Sequence, residues 1–528
     1  MLRVQDLSYS HPNRELLFQH LHFSLARHQK AALIGNNGTG KSTLLRLLAG
    51  GLRPSSGSIH AEAGICYVPQ HFGQFDGLTV AQALGMHERI DALRAILAGD
   101  VSEARFAQLA DDWTVEERLR AALTQWGLPD LDPAHPMAAL SGGQKTRVFL
   151  AGTALHPVAI LLLDEPGNHL DAGGRAQLEA YLRHSSATIL AVSHDRALLR
   201  LFNPVLELGP GGITVYGGSY DFYREQKAIG TEALGQELRQ HEKELRKARQ
   251  VQREAAERKQ KLDARGRRKQ DKAGVPTIAL NTLRNNAEKS SARLKGAHEE
   301  KVAGIAGELQ ALRAALPDPD AMKLGFDNAR LHRGKLLFAA RGINHDYGQG
   351  PLWAQNLSFE IRSGERLSLQ GPNGSGKTTL LRIILGALAP ATGSTTRALE
   401  RVVYIDQDYS LLDPARTVFG QAECFNRTGL QEHELGIVLA RFLFARADWE
   451  RPCAGLSGGE RMRLALCCLS IGHEAPDLIV LDEPTNNLDI VNMEILTAAL
   501  NDYAGTLLVV SHDAAFREAV GAERELRL

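Results

Sequence analysis

Two short stretches carry residues spaced for work on phosphate: Gly35-Asn36-Asn37-Gly38-Thr39-Gly40-Lys41-Ser42 and Gly371-Pro372-Asn373-Gly374-Ser375-Gly376-Lys377-Thr378, followed by Thr43 and Thr379. Each fits the pattern Gly-x-x-x-x-Gly-Lys-Ser/Thr. Glycines in such a loop let backbone N–H groups converge on phosphate oxygens, and the helix start behind them adds its dipole. Lys41 and Lys377 bring a point charge toward β- and γ-phosphates, and the hydroxyls of Ser42 and Thr378 suit Mg2+. The apolar run "KAALI" before the first loop and the helical pattern "STLLRLLAG" after its lysine predict strand, loop and helix in that order.

Carboxylates follow two other apolar runs: Asp164-Glu165 after "LLL" and Asp482-Glu483 after "IVL". The aspartate of such a pair is a natural Mg2+ partner, and the glutamate one residue on is placed to polarise the water that attacks a γ-phosphate. His194 and His512, each after an apolar strand and a serine, are candidates to sense that phosphate. Gln70 and Gln407 are candidates to meet both the cation and the water. The expected catalytic set is therefore Glu165, Glu483, His194, His512, Gln70 and Gln407. The expected Mg2+ set is Ser42, Thr378, Gln70, Gln407, Asp164 and Asp482.

The elements that must position these groups occur twice. Gly371 follows Gly35 by 336 residues, and each histidine follows its Asp-Glu pair's aspartate by 30. "YVPQ" pairs with "YIDQ", "LSGGQ" (140–144) with "LSGGE" (456–460), and "LLLDEPGNHLD" with "LIVLDEPTNNLD". The chain is a tandem duplication, and its alternation of short β-branched runs with longer helical patterns predicts α/β domains with largely parallel sheets. Ser141, Gly142, Gly143 and Gln144, with Ser457, Gly458, Gly459 and Glu460, form a second anion-binding surface in each copy, at a helix start.

This combination resembles the ATP-binding cassette ATPases. The resemblance implies two cassettes facing head to tail, each ATP being gripped by the phosphate loop of one and the serine-glycine signature of the other. Ser141 and Gly143 would then act on ATP held by Lys377, and Ser457 and Gly459 on ATP held by Lys41. It also implies an adenine-stacking residue about 24 positions before the phosphate loop. Tyr347 occupies that place in the second copy; His11, with Tyr9 nearby, occupies it in the first.

The chain of 528 residues has 61 basic and 61 acidic side chains, so no global field draws it to nucleic acid or membrane. Its five cysteines have no metal-like spacing, and no apolar run approaches the length of a bilayer span. A soluble cytoplasmic protein without a secretory signal is expected. Residues 224–316 differ from the rest, with 22 Lys/Arg against 13 Asp/Glu. Apolar residues at 3/4 spacing (Leu234, Leu238, Leu245; Leu283, Ala287, Leu294; Ile305, Leu309) predict two helices, with a reversal near 271–281. The expected organisation is residues 1–223, a cassette with a small insertion around 85–125; 224–320, an antiparallel helical hairpin; and 321–528, a second cassette. Arg258, Lys259, Lys261, Arg265, Arg267, Arg268, Lys269 and Lys272 crowd the expected turn and suit RNA phosphates.

Two cassettes, a charged helical linker and "YGGSYDFY" (216–223) make the whole chain similar to the ABC-F proteins. That resemblance implies an ATPase with ATP and Mg2+ as cofactors, a monomer whose cassettes pair within one chain, and the ribosome as partner. The hairpin would point at tRNA and rRNA near the peptidyl-transferase centre, with ATP binding favouring the bound state and hydrolysis release. Translation factor and antibiotic-resistance protein are both compatible readings. The alternative is a fused ATPase subunit of a transporter with separate membrane partners. Gly167 stands where the second copy has Thr485, so unequal hydrolysis at the two sites is expected.

Overall fold

Leucine- and valine-rich runs separated by amphipathic stretches fold each copy around a mostly parallel sheet. A computed structural model describes the chain except at 12–15, 156–158, 210, 271–295, 297–299, 301, 306, 310–321, 323, 327–331, 349, 473 and 487, and side chains at 256, 259, 260 and 262–270. The first copy contains β1 (Leu2–Ser10), β2 (Leu16–Leu25), β3 (Lys30–Ile34), β4 (Ser56–Ala61), β5 (Ile65–Val68), β6 (Ile160–Asp164), β7 (Thr188–Val192), β8 (Val205–Gly209) and β9 (Gly212–Tyr216). The second contains β10 (Leu336–Asn344), β11 (Leu357–Arg362), β12 (Arg366–Gln370), β13 (Thr392–Arg397), β14 (Val402–Ile405), β15 (Leu478–Asp482), β16 (Thr506–Val510) and β17 (Arg524–Arg527).

The main sheets run β5-β6-β7-β3-β8-β9 and β14-β15-β16-β12-β17, parallel throughout except for β9 against β8. Antiparallel triplets, β2-β1-β4 and β11-β10-β13, accompany them. The cores of β6, β7, β15 and β16 are buried on both faces, which explains their unbroken apolar sequences. Each antiparallel triplet shares a core with one face of its main sheet and with the phosphate-loop helix, Lys41–Leu48 or Lys377–Leu385. Asp164 pairs in register with Val192 at the ends of β6 and β7, as Asp482 does with Val510. Both acidic pairs therefore sit at the carboxyl edge of a sheet, where open α/β folds bind ligands.

Between "YVPQ" and "LSGGQ" the first copy has α-helices Val80–Ala83, His87–Leu97, Glu103–Leu109 and Val115–Gln125; the matching stretch of the second has the α-helices Val418–Cys424 and Glu432–Arg441. The surplus is the pair His87–Leu97 and Glu103–Leu109, packed on each other.

The chain divides into two compact units, Met1–Asp221 with Pro319–Leu528, and Phe222–Asp318. A 51-residue helix, Tyr220–Gln270, runs into the second unit and spans roughly 75 Å at 1.5 Å per residue. Within that unit Leu309 is buried, and His241 Nδ1 lies 3.5 Å from Glu308 Oε2. The expected reversal and much of the second arm, Lys272 included, lie outside the described residues. Arg258 and Lys261 are exposed on the long helix, and Lys259, Arg265, Arg267, Arg268 and Lys269 fall on its backbone.

Candidate active site

The phosphate-loop helices begin where glycines take conformations that other residues resist. Gly40 has φ 95°, and a Cβ there would lie 2.6 Å from Leu17 Cδ2; Gly376 has φ 90° and the same relation to Leu352 Cδ2. Lys41 is buried and donates from Nζ to the carbonyls of Gly35 (2.7 Å) and Asn36 (3.0 Å). Lys377 donates likewise to Gly371 (2.7 Å) and Pro372 (3.2 Å). Burial pulls the proton affinity of both ammonium groups down, opposed by the nearby carboxylates Glu165 and Glu483. Each loop thus holds a poorly hydrated cation on weak carbonyl partners, which suits it to a phosphate. Thr39 Oγ1 closes the first loop on Asn36 O at 2.9 Å, and Trp353 Nε1 holds the second at Ser375 O, also 2.9 Å.

Ser42 Oγ donates to Asp164 Oδ1 at 3.1 Å, so the expected Mg2+ partners in the first copy are adjacent. Tyr67 OH donates to the other oxygen, Oδ2, at 3.1 Å, and Tyr404 OH does the same to Asp482 Oδ2 at 2.9 Å. Among the described residues no group of three or more His, Cys, Asp or Glu side chains could hold a metal ion alone. A hydroxyl and one carboxylate fit a cation that arrives with phosphate oxygens already on it.

Glu165 and Glu483 adopt left-handed φ of 49° and 48°, an uncommon conformation for a glutamate, anchored by their N–H bonds to Val192 O (2.9 Å) and Val510 O (2.8 Å). His194 Nε2 lies 3.3 Å from Glu165 Oε1, and His512 Nε2 lies 3.4 Å from Glu483 Oε1. Burial pushes both carboxyls up to about 7, while the imidazoles fall to about 3 at His194 and about 4 at His512. At neutral pH the histidines are therefore neutral. Glu165 Oε1 and both carboxylate oxygens of Glu483 are buried without a hydrogen-bond partner. Such orphaned acceptors at a sheet edge fit a water and a phosphate-bound cation.

Two cavities enclose these groups, and both draw walls from both copies. The first, about 570 Å3, joins Lys41, Ser42, Gln70 and Glu165 to Ser457 and Gly458. The second, about 650 Å3, joins Lys377, Thr378 and Glu483 to Ser141, Gly142 and Gly143. Gln407 borders both. The halves also bond directly: Asn37 N–H donates to Asp489 Oδ2 at 2.9 Å, and Asn373 Nδ2 to His169 O at 3.3 Å. Tyr347 lines the second cavity, 61% exposed, with its OH 3.1 Å from Thr379 Oγ1. His11 lines the first, edge-on to buried Tyr9 with ring centroids 5.5 Å apart. Gln144 and Glu460 turn back instead, accepting from Ser141 N at 2.9 Å and Ser457 N at 2.8 Å as helix caps. Gly459 serves close packing, since a Cβ there would lie 2.2 Å from Asn492 Nδ2.

Sequence reasoning passed over Tyr67 and Tyr404, although both recur at the same place in "YVPQ" and "YIDQ". It also passed over Asp489, although it ends the repeated motif "LIVLDEPTNNLD", and Arg175, which belongs to no motif.

The family model described as "ABC transporter" matches residues 18–168 and 354–486. The tylosin resistance ATP-binding protein TlrC of Streptomyces fradiae is 32% identical over 554 residues, covering 100% of this chain and 97% of that protein. The chain belongs to the ABC-F family of ATP-binding cassette ATPases. Another relative is the energy-dependent translational throttle protein EttA of Mycobacterium tuberculosis, 29% identical over 515 residues, 92% of this chain and 84% of that one. A solved structure titled RNase-L Inhibitor shares the fold at a TM-score of 0.60 and 20% identity, covering 99% of this chain and 87% of its own. As an ABC-F protein the chain is an ATPase with two cassettes. Among the described residues no helix is long and apolar enough to cross a membrane.

Proposed function

We propose that the chain binds one ATP with Mg2+ in each of its two composite cavities, hydrolyses them when its halves are closed, and does this work on the ribosome in the cytoplasm. The observation that carries the first part is that each phosphate loop faces the signature serine of the other half. Lys41 and Lys377 exchange loop carbonyls for phosphate oxygens. Ser42 with Asp164, and Thr378 with Asp482, orient the cation; Mg2+ supplies positive charge to the phosphate oxygens. Glu165 and Glu483, once ionised, accept a hydrogen bond from the attacking water, and the neutral imidazoles of His194 and His512 stand beside them. Gln70 and Gln407 border the same space. Ser141 and Ser457 close the cavities as helix N-termini do around anions, and Tyr347 and His11 offer rings to adenine.

The ribosomal part rests on the relatives. One is named for translational throttling and another for tylosin resistance, and this chain aligns with both over nearly its whole length. The long helix of the second unit supports it with its Arg and Lys residues from Arg258 to Lys269, a density suited to RNA phosphates and strongly salt-dependent binding. Arrest of hydrolysis should hold the closed state. A Glu165→Gln, Glu483→Gln protein with ATP is expected to cosediment with ribosomes, and to leave them as salt rises. Double-variant protein that stays in the supernatant with ATP at low salt defeats the ribosomal assignment.

A further inference from the structure

The two cavities are not equivalent, and the difference lies in a residue outside every motif. Four positions after Asp171 stands Arg175; four after Asp489 stands Met493. Arg175 belongs to the first half yet lines the cavity of Lys377, Glu483 and His512. Its side chain is only 15% exposed, so its charge acts through little solvent. Nε donates to Leu170 O at 3.2 Å and Nη1 to Asp195 Oδ2 at 3.0 Å, which fix the guanidinium at the interface with two of its donors. Its field reaches Glu483 and His512 across that interface. In the mirror position Met493 is 4% exposed and borders a small chamber that Glu165, His194 and Asp513 line together with Arg175 itself. Met493 does not reach the first cavity, whose guanidinium from the other half is instead Arg461, bound to Ala454 O at 3.0 Å.

We propose that Arg175 is a positioning residue acting in trans for hydrolysis at the Lys377 cavity, and that it makes this the faster of the two sites. The inference rests on the composite-site reading above. Charge accumulates on the γ-phosphate oxygens and on the leaving bridge oxygen as the bond to phosphorus breaks, and a preorganised cation close by stabilises it. A cation held by Asp195, immediately after His194, also links the loop of one site to the other site's cavity. A Cβ at Gly167 would press on Leu198 Cδ1 at 3.1 Å and reach Asp195 Oδ2 only at 3.9 Å, whereas its counterpart Thr485 has Oγ1 3.3 Å from Ser511 Oγ.

The test is steady-state ATP turnover by the full chain. Arg175→Met, which copies the other half's residue, is expected to lower kcat about tenfold with KM for ATP changed less than about twofold, because the loss falls on transition-state charge. Arg175→Lys keeps a cation and should stay within about threefold of wild type. Should the methionine protein fail to fold, Arg175→Gln carries the same expectation. Turnover of the methionine or glutamine protein within about twofold of wild type, or a lysine protein as slow as they are, overturns the proposal. Ser141→Arg separates the two layers: if it leaves turnover intact, the composite-site reading falls; if it lowers turnover while Arg175→Met does not, only the role of Arg175 falls.

Discussion

Glu165 and Glu483 show what a candidate hydrolytic residue costs its fold. Each combines a left-handed backbone, a largely buried carboxyl and at least one oxygen without a partner, and burial is the largest cause of the rise of both carboxyls to about 7. When unfolded they would release the proton near the ordinary 4.5. Between those values the folded chain holds protons that the unfolded chain has lost, so stability falls as pH rises through that window and does not recover above it. Glutamine cannot ionise and removes this loss. Glu483→Gln is therefore expected to exceed wild type in Tm by at least about 3 °C at pH 8, with the gap closing toward pH 5. Calorimetry across that range checks the sign; a variant less stable than wild type at pH 8 contradicts a buried carboxyl poised near neutrality. On the proposed function the same substitution is expected to remove hydrolysis at its site, so stability and activity should move in opposite directions.

At the scale of elements, the first phosphate loop depends on β2 and the second on the segment that leads into β11. Gly40 lies against Leu17 and Phe18 of β2 and Gly376 against Leu352 and Trp353, so neither space nor φ admits a side chain. Gly40→Ala is expected to cost about 1–3 kcal/mol of stability and to weaken ATP binding at the first site at least tenfold, read by denaturant melts and nucleotide titration. Gly50, with φ 75° but nothing near its Cβ position, should pay the backbone cost alone. These loops, the strands before them and the Asp-Glu pairs were legible in the sequence because each is written in contiguous residues with a fixed spacing. The largely parallel character of the sheets was legible in the alternation of short β-branched runs with helical patterns, but the strand order, set by long-range pairing, was not. Tyr67 on Asp164, and Gln144 and Glu460 turned back as caps, were not legible. The first pair meets across 97 residues, and the caps answer to backbone N–H groups that no residue pattern displays.

For the molecule as a whole, the question is what couples the halves, and one carboxylate allows a clean answer. Asp489 Oδ1 accepts from Asn492 N at 2.8 Å and so caps the helix Ile490–Asp502, while Oδ2 accepts from Asn37 N–H at 2.9 Å in the phosphate loop of the other half. Asparagine preserves the first bond and destroys the second, because its amide would point a donor at a donor. Asp489→Asn should therefore leave each half folded, with a change in melting stability under about 1 kcal/mol, since a capping oxygen is retained. Its effect belongs to closure: a half-buried N–H in the first phosphate loop loses its acceptor whenever the halves meet, a penalty of about 1 kcal/mol. ATP turnover is expected to fall about tenfold, and ATP-dependent retention on ribosomes should weaken in the Glu165→Gln, Glu483→Gln background. Asp489→Ala, which removes cap and bridge together, should lose about 1 kcal/mol of stability besides. If Asp489→Asn hydrolyses ATP at the wild-type rate, the halves do not need this bridge to complete a site. If it loses stability as the alanine variant does, its role is confined to its own helix.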